Sequence, residues 1–203
     1  MHRLLLAGLM AFVMIPSVTA QESTAETDEI ALFNDIDLSN WLADPQAVSH
    51  WKVIEKTLIA DGKGSNLVTE QNFRNFVLML DWRAPAGSSG GVFVRSRPKI
   101  AIVDPAMNET GSGGLSENKE GPKDPASKAD KPAGEWNQFI IEIVGNKVKV
   151  TLNEQVVVDN VVMENAFDSS RRIPVNGKIE LQAVGPMEFR NIKLKRLPDD
   201  ASP

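Results

Sequence analysis

The chain contains no cysteine and no tyrosine. Without cysteine there is no disulfide and no lipid-modified N-terminal cysteine, so an exported form must rely on its core alone. Histidine is nearly absent. Of the two present, His2 lies in the N-terminal leader and His50 stands just before Trp51. A Ser-His-Asp arrangement would have to use His50, which sits in an opening loop where nothing suggests a nucleophile, and no Cys or His cluster offers a zinc site. Long apolar runs are missing as well. The longest, Leu4–Ile15, has about 12 residues, short of the roughly 20 that cross a bilayer, so no membrane span is expected. Basic residues are outnumbered, 22 against 27, for a net charge of −5. That balance argues against nucleic acid as a partner. There are no internal repeats and no convincing amphipathic helix.

What is present begins with a leader. Met1-His2-Arg3 is basic, Leu4–Ile15 is apolar, and Val18-Thr19-Ala20 supplies small residues for cleavage before Gln21. This reads as a secretory signal peptide over residues 1–20, and places the mature chain in the periplasm or outside the cell. The leader carries one arginine and no acid, so the mature chain has 21 basic and 27 acidic residues, net −6. Residues 21–29 are polar and acidic and read as a disordered lead-in. Residues 30–197 read as one domain of ordinary size for a sandwich. Residues 198–203 read as a flexible tail.

Within that domain the patterning is β. Lys147–Leu152 sets Val148, Val150 and Leu152 against Lys147, Lys149 and Thr151, the period of two of a half-buried strand. Gly145-Asn146 is a two-residue hairpin signal. Asn153-Glu154 is a poorer one, in which Glu154 needs a left-handed backbone at a cost of roughly 1–2 kcal/mol. Strands are expected at Trp51–Ile54, Thr57–Ile59, Phe76–Arg83, Val92–Arg97, Lys99–Asp104, Gln138–Val144, Lys147–Leu152, Gln155–Val158, Lys178–Ala183 and Phe189–Arg196. Gly87–Gly91 reads as a turn or bulge. Residues 105–132 form a long loop rich in Gly, Pro, Lys, Asp and Ser, of a length that suits a lid, a binding loop or a disordered insert. Many short strands joined by loops predict an all-β sandwich or jelly roll.

An ordered set of motifs gives this pattern a family. Leu32-Phe33-Asn34, Leu38-Ser39, Trp41 and Trp51-Lys52-Val53 open it; Leu67-Val68-Thr69-Glu70, Phe76 and Asp81-Trp82-Arg83 continue it. Ser88–Arg95, Pro98-Lys99, Asp104-Pro105, Gly111–Leu115 and the tract Ala129–Asn137 follow, and Leu152-Asn153, Glu180-Leu181-Gln182 and Phe189-Arg190-Asn191-Ile192 close it. In this order the chain resembles the domain-of-unknown-function 1080 family, described as 3-keto-disaccharide hydrolases or 3-keto-glucoside lyase/hydratases. The resemblance covers nearly all of the mature chain. It implies a concanavalin A-like jelly roll of two antiparallel sheets and an exported protein acting on oxidised glycosides. An upstream sugar oxidoreductase would have to supply the ketone.

A ketone at carbon 3 acidifies the hydrogen on carbon 2, so the implied chemistry needs a base near that hydrogen and a cation or donor near the enolate oxygen. The candidate catalytic residues are Asp104, Arg95 and Glu70. Arg83, Arg97, Lys99, Glu117, Asn118 and Gln182 are candidate substrate-binding residues. Arg95, Arg97 and Lys99 share one strand parity, continued by Ala101 and Val103 if Pro98 keeps the register. Trp41, Trp51, Trp82 and Trp136 read as core. No metal ligand set is specified, and no cofactor is required, although the fold leaves room for a divalent metal such as calcium. The chain departs from similar sequences at single positions: Ala101 stands in place of Gln, Val103 in place of an aromatic, Ser116 in place of Tyr, and Ala183 or Val184 in place of His. Those departures favour an alternative, a non-catalytic carbohydrate-binding module on the same scaffold. A structural or interaction module of the cell envelope is a third reading.

Overall fold

A computed structural model of the chain describes residues 29–42, 44–165 and 172–201. The expected signal peptide and residues 21–28 lie outside the described residues. Twelve strands and one short helix follow in order among the described residues: β1 Glu29–Ala31, α1 Pro45–Val48, β2 Trp51–Ile54, β3 Thr57–Ala60, β4 Leu67–Val68, β5 Phe76–Arg83, β6 Ser89–Phe93, β7 Lys99–Ile102, β8 Asn137–Val144, β9 Lys147–Leu152, β10 Gln155–Val162, β11 Glu180–Val184 and β12 Met187–Arg196. All pairings are antiparallel. The large sheet runs β10-β9-β8-β5-β12-β3-β2, with β1 also on β12, and the small sheet runs β4-β11-β6-β7. This is the two-sheet jelly roll that the alternation predicts.

The parity of each strand explains the layers. In β5, Phe76, Leu78, Leu80 and Trp82 are buried while Val77, Met79, Asp81 and Arg83 are half-buried on the other side. Phe139, Ile141 and Ile143 of β8 and Val148, Val150 and Leu152 of β9 continue the same inner face. Opposite them stand Val92, Ile100, Ile102 and Leu181 of the small sheet. The core fills the space between the sheets, and burying such side chains is the main favourable term in folding. Asn153 and Glu154 turn with φ of 49° and 69°, as the hairpin pattern requires.

Several boundaries differ from the sequence reading. Glu29, assigned to the lead-in, lies in β1 and its carboxylate meets Lys193 at 2.9 Å. In the tail, the Pro198 carbonyl accepts from Asn75 Nδ2 at 3.0 Å. Ser89–Gly91 is strand rather than turn, and Val94–Pro98 is turn rather than strand, with Arg95 and Ser96 at φ of 51° and 64°. Lys178 precedes β11, and β10 runs four residues further than expected, through a register shift.

The long loop 105–132 closes an edge of the sandwich. Gly113–Ser116 pairs along β7, with Gly113 N and Ala101 N exchanging bonds with Ala101 O and Gly114 O. Further on, Asn118 Nδ2 donates to Val162 O at 3.0 Å, and the Lys119 and Glu120 amides donate to Glu164 Oε2 at 2.7 and 3.0 Å. The loop thus ties β7 of one sheet to β10 of the other.

Candidate functional site

Strand parity brings one group of candidates together on the outer face of the small sheet. Phe93 of β6 pairs with Lys99 of β7 on one side and with Glu180 of β11 on the other. Neighbouring strands lie about 4.8 Å apart, so the Lys99 and Glu180 backbones stand roughly 10 Å apart across the phenyl ring. One step along the sheet, Gly91 separates Ala101 from Gln182. Gly91 is required there: a Cβ would come within 2.5 Å of Ile100 O and 2.7 Å of Lys99 Cγ, so the lysine stem lies across its backbone. Lys99 Nζ reaches Gln182 Oε1 at 3.2 Å, and Asn66 Nδ2 donates to Glu180 Oε2 at 3.0 Å. At the rim, Arg97 Nη1 stands 3.8 Å from Glu117 Oε2. That oxygen is buried and has no hydrogen-bond donor among the described residues. The face therefore presents an aromatic plane, two amides, an ammonium and carboxylates, the groups that hold sugar hydroxyls.

The other candidates go elsewhere. Arg95 is 2% exposed, in the β6–β7 turn at the opposite end of β7 from Asp104. Its guanidinium donates to Arg74 O from Nε at 2.7 Å and also from Nη2, to Gly145 O from Nη1 at 2.5 Å, and to Asn75 Oδ1 at 3.1 Å. Burial, with Arg74 beside it, pushes its pKa down to about 10. It cross-links the β6–β7 turn to the start of β5 and the β8–β9 hairpin. Asp104 is buried and accepts from Gly87 N at 2.7 Å and Ala106 N at 2.9 Å. The Gly87 amide above all, then that of Ala106, holds its carboxyl below the usual carboxylate range. Glu70 is exposed and engaged through its backbone, its N–H donating to Asn40 O at 3.1 Å and its carbonyl accepting from Lys178 Nζ at 2.5 Å. Asn118 is buried and bonded to Pro122 O, Val162 O and Glu164 N. Arg83 belongs to the opposite face of the molecule, paired with Glu188 at 2.7 Å. The sequence reading missed Phe93, Glu180 as a side chain, and Asn66; the shared parity of Phe93 with Gly91 and of Glu180 with Gln182 was the available signal.

Three of the positions where the sequence reading expects other residues lie on this same face. Ala101 lies on it by parity, Ser116 accompanies Lys99 through its N–H bond to Lys99 O, and Val184 follows Gln182 by two residues. No group of three or more His, Cys, Asp and Glu side chains is placed to hold a metal among the described residues.

The sequence model of the 3-keto-α-glucoside-1,2-lyase-like domain matches residues 28–195. The chain belongs to that family. Among solved structures, a candidate glycosyl hydrolase from Parabacteroides distasonis is 25% identical with a TM-score of 0.67, covering 89% of this chain and 99% of its own. A second from the same organism is 22% identical with a TM-score of 0.68, covering 84% of each chain. A non-specific endo-β-1,3(4)-glucanase of glycoside hydrolase family 16 shares the fold at 11% identity, with a TM-score of 0.58 over 91% of this chain and 94% of its own. No curated protein sequence matches the chain. Family membership assigns the protein a glycoside-active or carbohydrate-binding role with a carbohydrate partner. Among the described residues no helix is long and apolar enough to cross a membrane.

Proposed function

We propose that the protein cleaves 3-keto-glycosides on the outer face of the small sheet. The register that sets Glu180 and Lys99 on either side of Phe93 carries this reading. The sugar ring lies on Phe93, with its hydroxyls toward Gln182 and Asn66. Glu180 removes the hydrogen of carbon 2 as a proton, and the resulting enolate oxygen faces the Lys99 ammonium. Collapse of the enolate forms the carbon 1–carbon 2 double bond and breaks the bond from carbon 1 to the aglycone oxygen, which leaves with that electron pair and takes a proton from solvent. Water then adds its oxygen to carbon 1, carbon 2 recovers the proton held by Glu180, and the proton shed by water replaces the one the aglycone took. Asp104 and Arg95 hold the two ends of this sheet in place. The leader supports an exported site of action, and a separate oxidoreductase acting on the carbon 3 hydroxyl would make the substrate.

A second reading, recognition of the same sugar without turnover, is favoured by Ala101, Val103 and Ser116, where the sequence reading expects Gln, an aromatic and Tyr. One experiment separates the two. Residues 21–203 are incubated with a 3-keto-glucoside carrying a chromogenic leaving group and with the unoxidised glucoside, with and without divalent metal. The enzyme reading expects release from the keto-sugar alone, with kcat lowered about a hundredfold or more by Glu180→Gln and by Lys99→Met. Binding without release selects recognition, and neither binding nor release sinks both.

A further inference from the structure

The motifs that define the family without entering the proposed site meet on the other side of the molecule. Asp81 of β5, Trp136 and Gln138 at the start of β8, Glu154 of the β9–β10 hairpin, Arg190 of β12 and Lys131 of the long loop line one cavity of about 460 Å³ on the outer face of the large sheet. That volume falls within the usual range of small-ligand pockets, roughly 300–1,000 Å³. Trp136 is half-buried here, not in the core with Trp41, Trp51 and Trp82. The Arg190 guanidinium stacks 3.9 Å from its ring centroid, and Arg83 lies 4.8 Å away. Cross-strand pairing fixes both arginines: Arg190 Nε meets Asp81 Oδ2 at 3.3 Å, and Arg83 meets Glu188.

Backbone irregularities converge on the same cavity. A bulge in β12 falls between Arg190 and Lys193, with Asn191 at φ 53°, and turns the Asn191 amide onto Asp81 Oδ2 at 2.7 Å. The Asn153–Glu154 turn holds two non-glycine residues left-handed. Asn153 has a local reason, since its amide donates to Ala129 O and Asn137 Oδ1 at 2.8 and 2.7 Å. Glu154 is left-handed because the two-residue turn requires it, and its carboxylate, like the Lys131 ammonium, has no partner among the described residues. Bulges and left-handed non-glycine residues tend to collect where a side chain must be aimed.

We infer that this cavity is a second binding site, and that it takes a neutral sugar unit of an oligosaccharide. Its charges cancel, with Asp81 and Glu154 against Lys131 and Arg190. Asp81 is satisfied by protein donors and serves to orient Arg190. Gln138 Nε2 donates to Asp81 Oδ1 at 3.4 Å, so the groups left over are a carboxylate, an ammonium, the Gln138 amide oxygen and the outer guanidinium nitrogens, beside an exposed part of an indole. Such a set matches adjacent hydroxyls that each donate and accept, and offers no excess charge for an anion. The site stands on the opposite sheet from Lys99 and Glu180, so it is independent of the proposed chemistry.

The test is calorimetric titration of residues 21–203 with cellohexaose, laminarihexaose and maltohexaose, none of which carries a ketone. At least one is expected to bind with millimolar affinity or better. Glu154→Ala combined with Gln138→Ala, both at the rim, should weaken it about tenfold, the equivalent of 1.4 kcal/mol, and Trp136→Ala should weaken it further. Lys99→Met and Glu180→Gln should leave it unchanged. Absence of binding by all three sugars overturns the proposal. So does binding that is lost in the Lys99 and Glu180 variants while the Glu154/Gln138 variant, checked for unchanged thermal unfolding, keeps it.

Discussion

The two outer faces of this sandwich are made by different means. The small-sheet face is regular: Phe93, Lys99, Glu180 and Gln182 project from unbroken strands, Lys99 reaching Gln182 and Glu180 held by Asn66. The large-sheet face is irregular, with a bulge, a left-handed hairpin and a loop tract pinned over Asp81 and Arg190. Of the motif residues, Asp81, Arg83, Trp136 and Arg190 serve the second face, while Phe93, Lys99, Glu180 and Gln182 fall on the first, beside Ala101, Ser116 and Val184. The same set of motifs therefore builds both faces, one through strand register and the other through a bulge, a turn and a loop tract.

The largest effect expected from a single substitution tests whether Arg95 belongs to the frame or to the site. Arg95→Met removes the donors to the part-buried Arg74 and Gly145 carbonyls and one of the two donors to Asn75 Oδ1, and it leaves a space where a buried guanidinium was packed; each unsatisfied group costs about 1–3 kcal/mol. A loss of about 3–5 kcal/mol in urea unfolding is expected, with sugar binding per folded molecule unchanged. Near-normal stability with lost binding would instead move Arg95 into the site and erase the distinction between the two ends of the small sheet.

How much of this was legible in the sequence follows the same division. Where hydrophobic alternation was uninterrupted, as in Phe76–Arg83 and Lys147–Leu152, both the strand and its inward face came out as expected. The shared face of Lys99 and Gln182 is legible for the same reason. Arg95 was assigned to that face by extending the period of two through Val94–Pro98, but two left-handed residues end the strand there and turn the side chain inward. Trp136 read as a packing anchor because nothing local signals that Arg83 and Arg190 will stack on it from distant strands. The loop 105–132 read as a lid, a binding loop or a disordered insert because the partners that anchor Asn118 and Lys119, Val162 and Glu164, lie more than forty residues further on.

A smaller effect separates the ends of the frame by pH. Asp104 is held ionised by the Gly87 and Ala106 amides, and Glu164 by those of Glu120, Lys119 and Gly121. A carboxyl whose folded pKa lies below its unfolded value adds stability above the unfolded value, near pH 4, and loses it as pH falls through the folded value. Asp104→Asn and Glu164→Gln should each lower the unfolding temperature at neutral pH and flatten its decline below about pH 4. Unfolding profiles parallel to the parent's throughout acidification would mean that these amides do not discriminate the charged form.

The smallest effect bears most directly on the changed face. The Lys99 stem lies across the Gly91 backbone between Ala101 and Gln182, so a longer side chain at Ala101 would pack alongside that stem on the outer face. Ala101→Gln adds a planar amide that can pair two sugar hydroxyls, and Val103→Trp adds a stacking surface one residue beyond Ile102. Together they are expected to tighten 3-keto-glucoside binding by up to about tenfold, some 1.4 kcal/mol, while leaving hexasaccharide binding at the Trp136 cavity untouched. A gain in affinity without a gain in turnover would mean that the face was short of contacts for the sugar and that recognition is its task. A gain in both would mean that Glu180 and Lys99 were already competent and waited only for a better-held substrate. If neither moves, Ala101 and Val103 are not what limits this face.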